Sequence, residues 1–310
     1  MGAIEIKEMD FSGMNYSYLP MEFFDGEYDH ITHLWLDDNR FRNFPEELQR
    51  FKELRVFSAY KNQLEEISPE FFGLPNLKRL NISSNQFSFL NPAIGKLKKL
   101  EVLDVQHNRL ASIPSEVGEL TGLKYLLLAG NSLQKLPSSL SNLQKLIYLN
   151  ISENKFSELP GCVSHMNSLI ELRIFKNAIA SLPESIAKLT HLREIYANDN
   201  QLVTLPESLC QMTHLRKLAL SRNRLNCLPE AIGKLSSLTD LDLRTNCLLT
   251  LPDSIGELKS LRLLDLRENL LSHLPDAVRD LPNLEKLDLR NNKNLALPSW
   301  IDSLKCMVYY

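Results

Sequence analysis

From residue 31 onward the hydrophobic positions fall into one frame that returns every twenty-three residues. Residues 261–283 show it plainly: Leu261, Leu264, Leu266, Leu271, Leu274, Val278 and Leu281 are the apolar positions, and the next unit opens at Leu284. The first part, L-x-x-L-x-L, alternates apolar and polar residues, which predicts a short strand with one buried face. Positions 4 and 6 of the unit (Leu264, Leu266) are expected to point inward, and positions 3, 5 and 7 (Leu263, Asp265, Arg267) outward. The second part opens with proline at position 15, as in Pro114, Pro137 and Pro183. Proline suits the first turn of a helix, where its missing N–H is not needed, and the apolar residues at positions 14, 18 and 21 follow at helical spacing. Pro69 and Pro92 stand one position later, which predicts slightly different turns in those two repeats.

Position 9 is asparagine throughout: Asn39, Asn62, Asn85, Asn108, Asn131, Asn154, Asn177, Asn200, Asn223, Asn246, Asn269 and Asn292. An internal period of roughly 20–50 residues is the mark of a solenoid, each unit stacking on the next. The asparagine sits where the chain leaves the strand and turns inward. A buried amide left unsatisfied costs on the order of 1–3 kcal/mol, so stacked asparagines are expected to bond the backbone of adjacent coils rather than to hold a ligand.

The frame L-x-x-L-x-L-x-x-N-x-L-x-x-L-P-x-x-I/V-x-x-L-x-x resembles the leucine-rich repeat family, and the match runs over residues 31–306 without insertion or deletion. Its L-P-x-x-I-x-x-L half resembles the Ras-group and bacterial-type subclasses. The resemblance implies an α/β fold, a horseshoe-shaped solenoid with a parallel concave sheet and short convex helices or turns. It also implies signalling partners such as small GTPases or phosphatases.

A chain of 310 residues would ordinarily suggest two domains; the repeat replaces that with one elongated array. Residues 1–30 read as an N-terminal cap. Ile6, Met9, Phe11, Tyr16, Leu19 and Pro20 fit the frame, Met14 takes the place of the asparagine, and the second half is longer and aromatic (Phe23, Phe24, Tyr28). Residues 31–306 hold twelve repeats, and 307–310 read as a short end strand with no polar capping helix after it. Either those last four residues are a minimal cap, or something else covers the end, self-association included.

The net charge of −3 comes with no run of basic residues, which argues against nucleic acid or an anionic membrane as the main partner. Five scattered cysteines, Cys162, Cys210, Cys227, Cys247 and Cys306, favour a reducing compartment and hence the cytoplasm, with Cys227 and Cys247 placed near one another on adjacent coils. Met1–Ile6 carries no secretory signal, and Ile6 breaks the myristoylation pattern. Cys306 stands one residue too early for a prenylation box, and the spaced leucines never form a membrane-length apolar stretch. The seven histidines show no metal-ligand spacing; His191 and His214 share position 23 of neighbouring repeats and read as surface loop residues. No glycine-rich phosphate loop and no catalytic segment outside the repeats is found. The expectation is a non-enzyme without cofactor or metal.

In-register strands place equivalent positions roughly 4.8 Å apart, so the outward face can be read down its columns. Two features emerge. One is an aromatic and aliphatic patch of Val102, Tyr125, Leu127, Tyr148, Phe175 and Tyr196 with Arg173 among them, and a smaller pair, Trp35 with Tyr60, nearer the N-terminus. Exposed Tyr and Arg are what interface hot spots are made of; alternatively the rings only pack on one another across strands. The other is a ladder, Asp242/Arg244, Asp265/Arg267 and Asp288/Arg290, either a self-neutralising network or a surface that steers a charged partner. The sequence therefore points to a protein-binding scaffold or adaptor that uses its concave face, the alternative being a regulatory subunit or delivered effector that inhibits a partner enzyme.

Overall fold

The computed structural model describes residues 7–26, 28–44 and 46–310. The cap position Ile6, and the segment Met1–Ile6 read for targeting signals, lie outside them. Two compact units divide the chain: Met1–Asn154 with Gly161–Met166, and Lys155–Pro160 with Asn167–Tyr310. In the first unit the strands are β1 (Glu8–Asp10), β2 (His33–Trp35), β3 (Val56–Ser58), β4 (Arg79–Asn81), β5 (Val102–Asp104), β6 (Tyr125–Leu127) and β7 (Tyr148–Asn150). In the second they are β8 (Glu171–Arg173), β9 (Glu194–Tyr196), β10 (Lys217–Ala219), β11 (Asp240–Asp242), β12 (Leu263–Asp265), β13 (Lys286–Asp288) and β14 (Met307–Tyr309).

Within each unit consecutive strands pair in parallel, residue on equivalent residue, as in Leu103 with Leu126 and Leu241 with Leu264. At the N-terminal end the cap strand pairs Glu8 with His33, a stagger two residues longer, which absorbs the longer aromatic segment. There Phe23 is buried, edge-on to Phe11 (5.3 Å between centroids), stacked on Tyr28 (5.5 Å) and against Phe51 (5.1 Å). Inward positions 4 and 6 are almost completely buried in every repeat, joined by positions 1, 11, 18 and 21 to fill the coil. The pleat does this: with side chains alternating between faces, only one face of each strand can reach the interior.

Each asparagine is a bolt between coils. Asn62 Nδ2 donates to Leu36 O of the preceding coil (2.8 Å) and to Ala59 O of its own (3.2 Å), while its Oδ1 accepts from Phe41 N (3.0 Å). Asn269 repeats the pattern on Leu243 O, Leu266 O and Leu248 N. No buried side-chain polar atom among the described residues lacks a partner. The amides thus serve structure, as the stacking argument expects.

The residue before each asparagine is left-handed. Position 8 has φ between 50° and 66° in all twelve repeats, yet only one of these residues, Gly130, is glycine. For an L-residue this conformation costs roughly 1–2 kcal/mol; it swings the chain inward and delivers the amide to its partners, which offset the cost. At Gly130 a Cβ would also run into the His107 ring.

The convex segments take the tighter of the two expected forms, helices or turns. Among the described residues every one is a 3₁₀ turn, for example Ser115–Glu119 and Asp253–Glu257, and none is α-helical. Positions 18 and 21 are three apart, the repeat of a 3₁₀ helix, and their backbone bonds are of that type (Leu120 N to Val117 O, 3.1 Å). The proline at position 15 does not open the turn. Pro114 stands just before it with extended ψ of 152°. Pro69 and Pro92 do begin their turns, after Ser68 and Asn91, and the Asn91 side chain caps Ala93 N at 2.9 Å.

Candidate protein-binding face

Positions 3, 5 and 7 form the outward face of each sheet, but that face is less open than alternation alone predicts. Ser58, Asn150 and Asp288 at position 5 are buried, and most of their column is half-buried, because neighbouring strands crowd the middle of the face. Burial pushes the Asp104 carboxyl above its ordinary range in spite of hydrogen bonds from Gln106. The same holds for Asp37, although Ser58 Oγ (2.5 Å) and Tyr60 N (2.8 Å) both donate to it.

In the first unit Val102, Tyr125, Leu127 and Tyr148 all lie on the outward face of β5–β7. The Tyr125 and Tyr148 rings are 6.1 Å apart and tilted by 38°, and Tyr125 keeps 39% of its surface in solvent. Cross-strand packing and exposure therefore coexist. Nearer the N-terminus, Trp35 stacks on His33 (5.4 Å) and not on Tyr60, which stays exposed. Trp35 and Tyr60 occupy different columns of the face, and position 3 of Trp35's own strand supplies the ring it stacks on. A shallow depression of about 450 Å³ includes Trp35, Ser58, Asn81 and Asp104 in its lining.

In the second unit Arg173 and Tyr196 meet face to ring, with the guanidinium carbon 4.7 Å from the centroid. Lys217 Nζ sits 5.0 Å from the same ring, so Tyr196 is held by two cations. Arg173 Nε also donates to Glu171 Oε1 (2.5 Å), and Tyr196 Oη donates to Glu194 Oε2 (2.7 Å). Burial first, and Glu194 second, raise the Tyr196 phenol well above its usual range, so it remains a donor at neutral pH. Glu194 and Lys217 sit in the position-3 column, but reading down columns joins neither to Tyr196. Lys217 lies on a diagonal, position 3 against position 5 of the preceding repeat, and pairing columns diagonally would have found it. Phe175 and Tyr196 line an open depression of about 500 Å³ with Asn198, Ser221, Arg244 and Arg267.

The Asp–Arg ladder is a network in which each arginine grips its own strand's aspartate with two nitrogens. Arg267 Nε and Nη2 reach Asp265 at 2.9 and 2.6 Å; Arg290 reaches Asp288 at 2.9 and 2.7 Å. Cross-strand contacts are longer, 3.7 Å from Arg244 to Asp265 and 3.5 Å from Arg267 to Asp288. Asp288 is fully buried, which opposes ionisation, yet the Arg290 bonds and the Arg267 charge prevail and hold its carboxyl below the ordinary range. A depressed folded-state pKa gives stability that is complete above the unfolded value of about 3.9 and disappears as pH falls through the folded one. Asp288→Asn is therefore expected to lower the melting temperature at pH 7, with the difference from wild type closing as pH drops below about 4. A gap in melting temperature that stays constant from pH 7 to pH 2 would rule this out.

All five cysteines are unpaired, Cys227 and Cys247 being exposed. Among the described residues no three His, Cys, Asp or Glu side chains gather as a metal site, and no helix is long and apolar enough to cross a membrane.

Comparison with known proteins agrees with this architecture. A family model described as leucine rich repeat matches residues 53–110, 190–248, 213–267 and 236–293, together more than half of the chain; one described as leucine-rich repeat region matches 115–204, and a third covers 283–304. No curated protein matches. Among solved structures, a Leptospira interrogans LRR protein is 26% identical with a TM-score of 0.62, covering 99% of this chain and 96% of its own. Drosophila Toll, in its complex with Spätzle, is 25% identical with a TM-score of 0.82 over 94% of this chain and 40% of that one. The Arabidopsis receptor kinase HAESA, in complex with the peptide hormone IDA and the co-receptor SERK1, is 26% identical with a TM-score of 0.75 over 94% and 57%. This chain spans less than two thirds of the latter two. Repeat families of this kind usually carry no catalysis, and no enzymatic domain is identified. With the frame, the asparagine bolts and the family models in agreement, the chain belongs to the leucine-rich repeat family.

Proposed function

We propose that this protein is a non-enzymatic scaffold or adaptor that binds a partner protein on the outward face of its sheets. The observation that carries the reading is the set of aromatic and aliphatic side chains on β5–β7, where Tyr125 stays exposed and no core needs filling. The Arg173–Tyr196–Lys217 stack and its adjoining depression add a second anchor region in the other unit. Rigid aromatic and Arg anchors on a preformed sheet lose little freedom on binding, which favours affinity. Toll and HAESA are solved with Spätzle and with a peptide hormone, and those complexes support a binding role. The 23-residue frame fits the Ras-group and bacterial-type subclasses, from which small GTPases or phosphatases follow as partner classes in intracellular signalling. Five free thiols are in keeping with a cytoplasmic setting.

The test is affinity capture from native extract, followed by binding of the purified partner to wild type and to Tyr125→Asp/Tyr148→Asp, each checked for fold by circular dichroism. Affinity is expected to fall by about thirtyfold or more, as for loss of a hot spot. Unchanged affinity in the double variant would leave these rings as mere self-packing. Activity of the captured partner with and without the chain then separates a scaffold from an inhibitor.

A further inference from the structure

The strands of the second unit carry an unbalanced cluster on the side where they begin. Position 2 precedes each strand, and elsewhere its cations are mostly matched with carboxylates. Glu101 takes both Lys78 (3.8 Å) and Lys124 (2.7 Å), and Arg262 pairs with Glu285 (2.7 Å). Arg193 and Arg216 break the pattern. They occupy equivalent positions on neighbouring coils, and neither has a carboxylate within salt-bridge distance among the described residues. Two adjacent guanidiniums with no counter-charge repel one another, a cost that an anion removes.

The surroundings complete a pocket. His191 and His214 stand at position 23 beside the two arginines, and together they line a cavity of about 350 Å³ with Ser168 and Ser237; no acidic residue lines it. His191 Nδ1 lies 2.9 Å from Asn167 O. A carbonyl only accepts, so that nitrogen carries the proton and is committed to the backbone. Ile170, 37% exposed, adds an apolar wall.

We propose that this pocket binds a phosphomonoester, carried by a phosphorylated side chain of the partner protein. The chemistry favours this class because a phosphate bears about −1.5 to −2 charges and three acceptor oxygens, enough to engage both guanidiniums at once. A carboxylate fills one fork only. The carrier follows from place: Ile170 can cover the stem of the modified side chain, and Arg193 and Arg216 directly precede Glu194 and Lys217 on the outward face, so a protein seated there reaches the pocket. The carrier, though not the phosphate pocket, rests on the sheet-face reading above.

The test uses the whole chain with three probes: inorganic phosphate, a blocked Ala-phosphoserine-Ala peptide and its unphosphorylated counterpart. Side-chain NMR signals of His191 and His214 are followed. The expected result is saturable shifts with phosphopeptide at concentrations at least about tenfold below those needed with the serine peptide, and tighter binding than inorganic phosphate. Arg193→Gln/Arg216→Gln is expected to abolish that preference without altering the melting curve, since both side chains are exposed. Tyr125→Asp/Tyr148→Asp is expected to leave it intact, so failure of the sheet-face reading registers separately. Equal responses to the two peptides, or a preference that survives loss of both arginines, would overturn the proposal. Shifts with inorganic phosphate and none with phosphopeptide would overturn the protein-borne source.

Discussion

Asn223→Ala is expected to destabilise the protein by about 2–4 kcal/mol, whereas Asn226→Ala, three residues on and exposed, should stay within about 0.5 kcal/mol. The difference lies in what each amide holds. Asn223 Nδ2 donates to Ala197 O and Leu220 O, both at 2.9 Å, and Oδ1 accepts from Leu202 N at 3.0 Å. Ala197 O retains a bond from Asn200 (3.2 Å), but the Leu202 amide loses its acceptor inside the coil. Leaving buried backbone groups unpaired costs roughly 1–3 kcal/mol each, more than the net worth of a bond exchanged with water. The two variants would be compared by urea unfolding, and indistinguishable midpoints would mean that water replaces the amide freely.

Phe57→Ala should be more damaging, by about 3–5 kcal/mol. Position 4 is leucine or isoleucine in every other repeat. Phe57 is fully buried between Phe44 (5.0 Å, 87°) and Phe71 (4.9 Å, 65°), which also approach each other at 5.8 Å. The three rings form one packed cluster, so alanine would open a cavity that its neighbours cannot close. Phe57→Leu restores the residue of other repeats but not the ring contacts, and an intermediate loss is expected. If alanine and leucine proved equal to wild type in midpoint, the cluster would not be contributing to stability.

Much of this architecture could be read from the chain because its rules are periodic. Leu264 and Leu266 announce a one-sided strand, and the invariant asparagine announces a buried amide. Two features of the fold stayed hidden for physical reasons. The convex segments left helix and turn both open because positions 14, 18 and 21 suit either, and only the backbone bonds distinguish the tighter one. The left-handed residue at position 8 leaves no trace, since Lys61, Glu153 and Arg222 accept that conformation as Gly130 does. Its cost is met by the following asparagine, not by its own side chain. For the site, Tyr125 and Tyr148 were recoverable because they share a column. The Lys217–Tyr196 contact runs diagonally, and Trp35 chose His33 within its own strand. The pocket at Arg193 and Arg216 depends on missing carboxylates, which become visible only when side chains have positions.

The asparagine bolts also give this array a built-in clock. Each Oδ1 accepts from a backbone amide one coil earlier, as Asn246 does from Leu225 and Asn292 from Leu271. The protection of one amide therefore reports on the presence of the next coil. Followed by hydrogen exchange, the position-11 amides within each unit would time the departure of successive coils, and the order in which they lose protection would reveal from which end the stack comes apart.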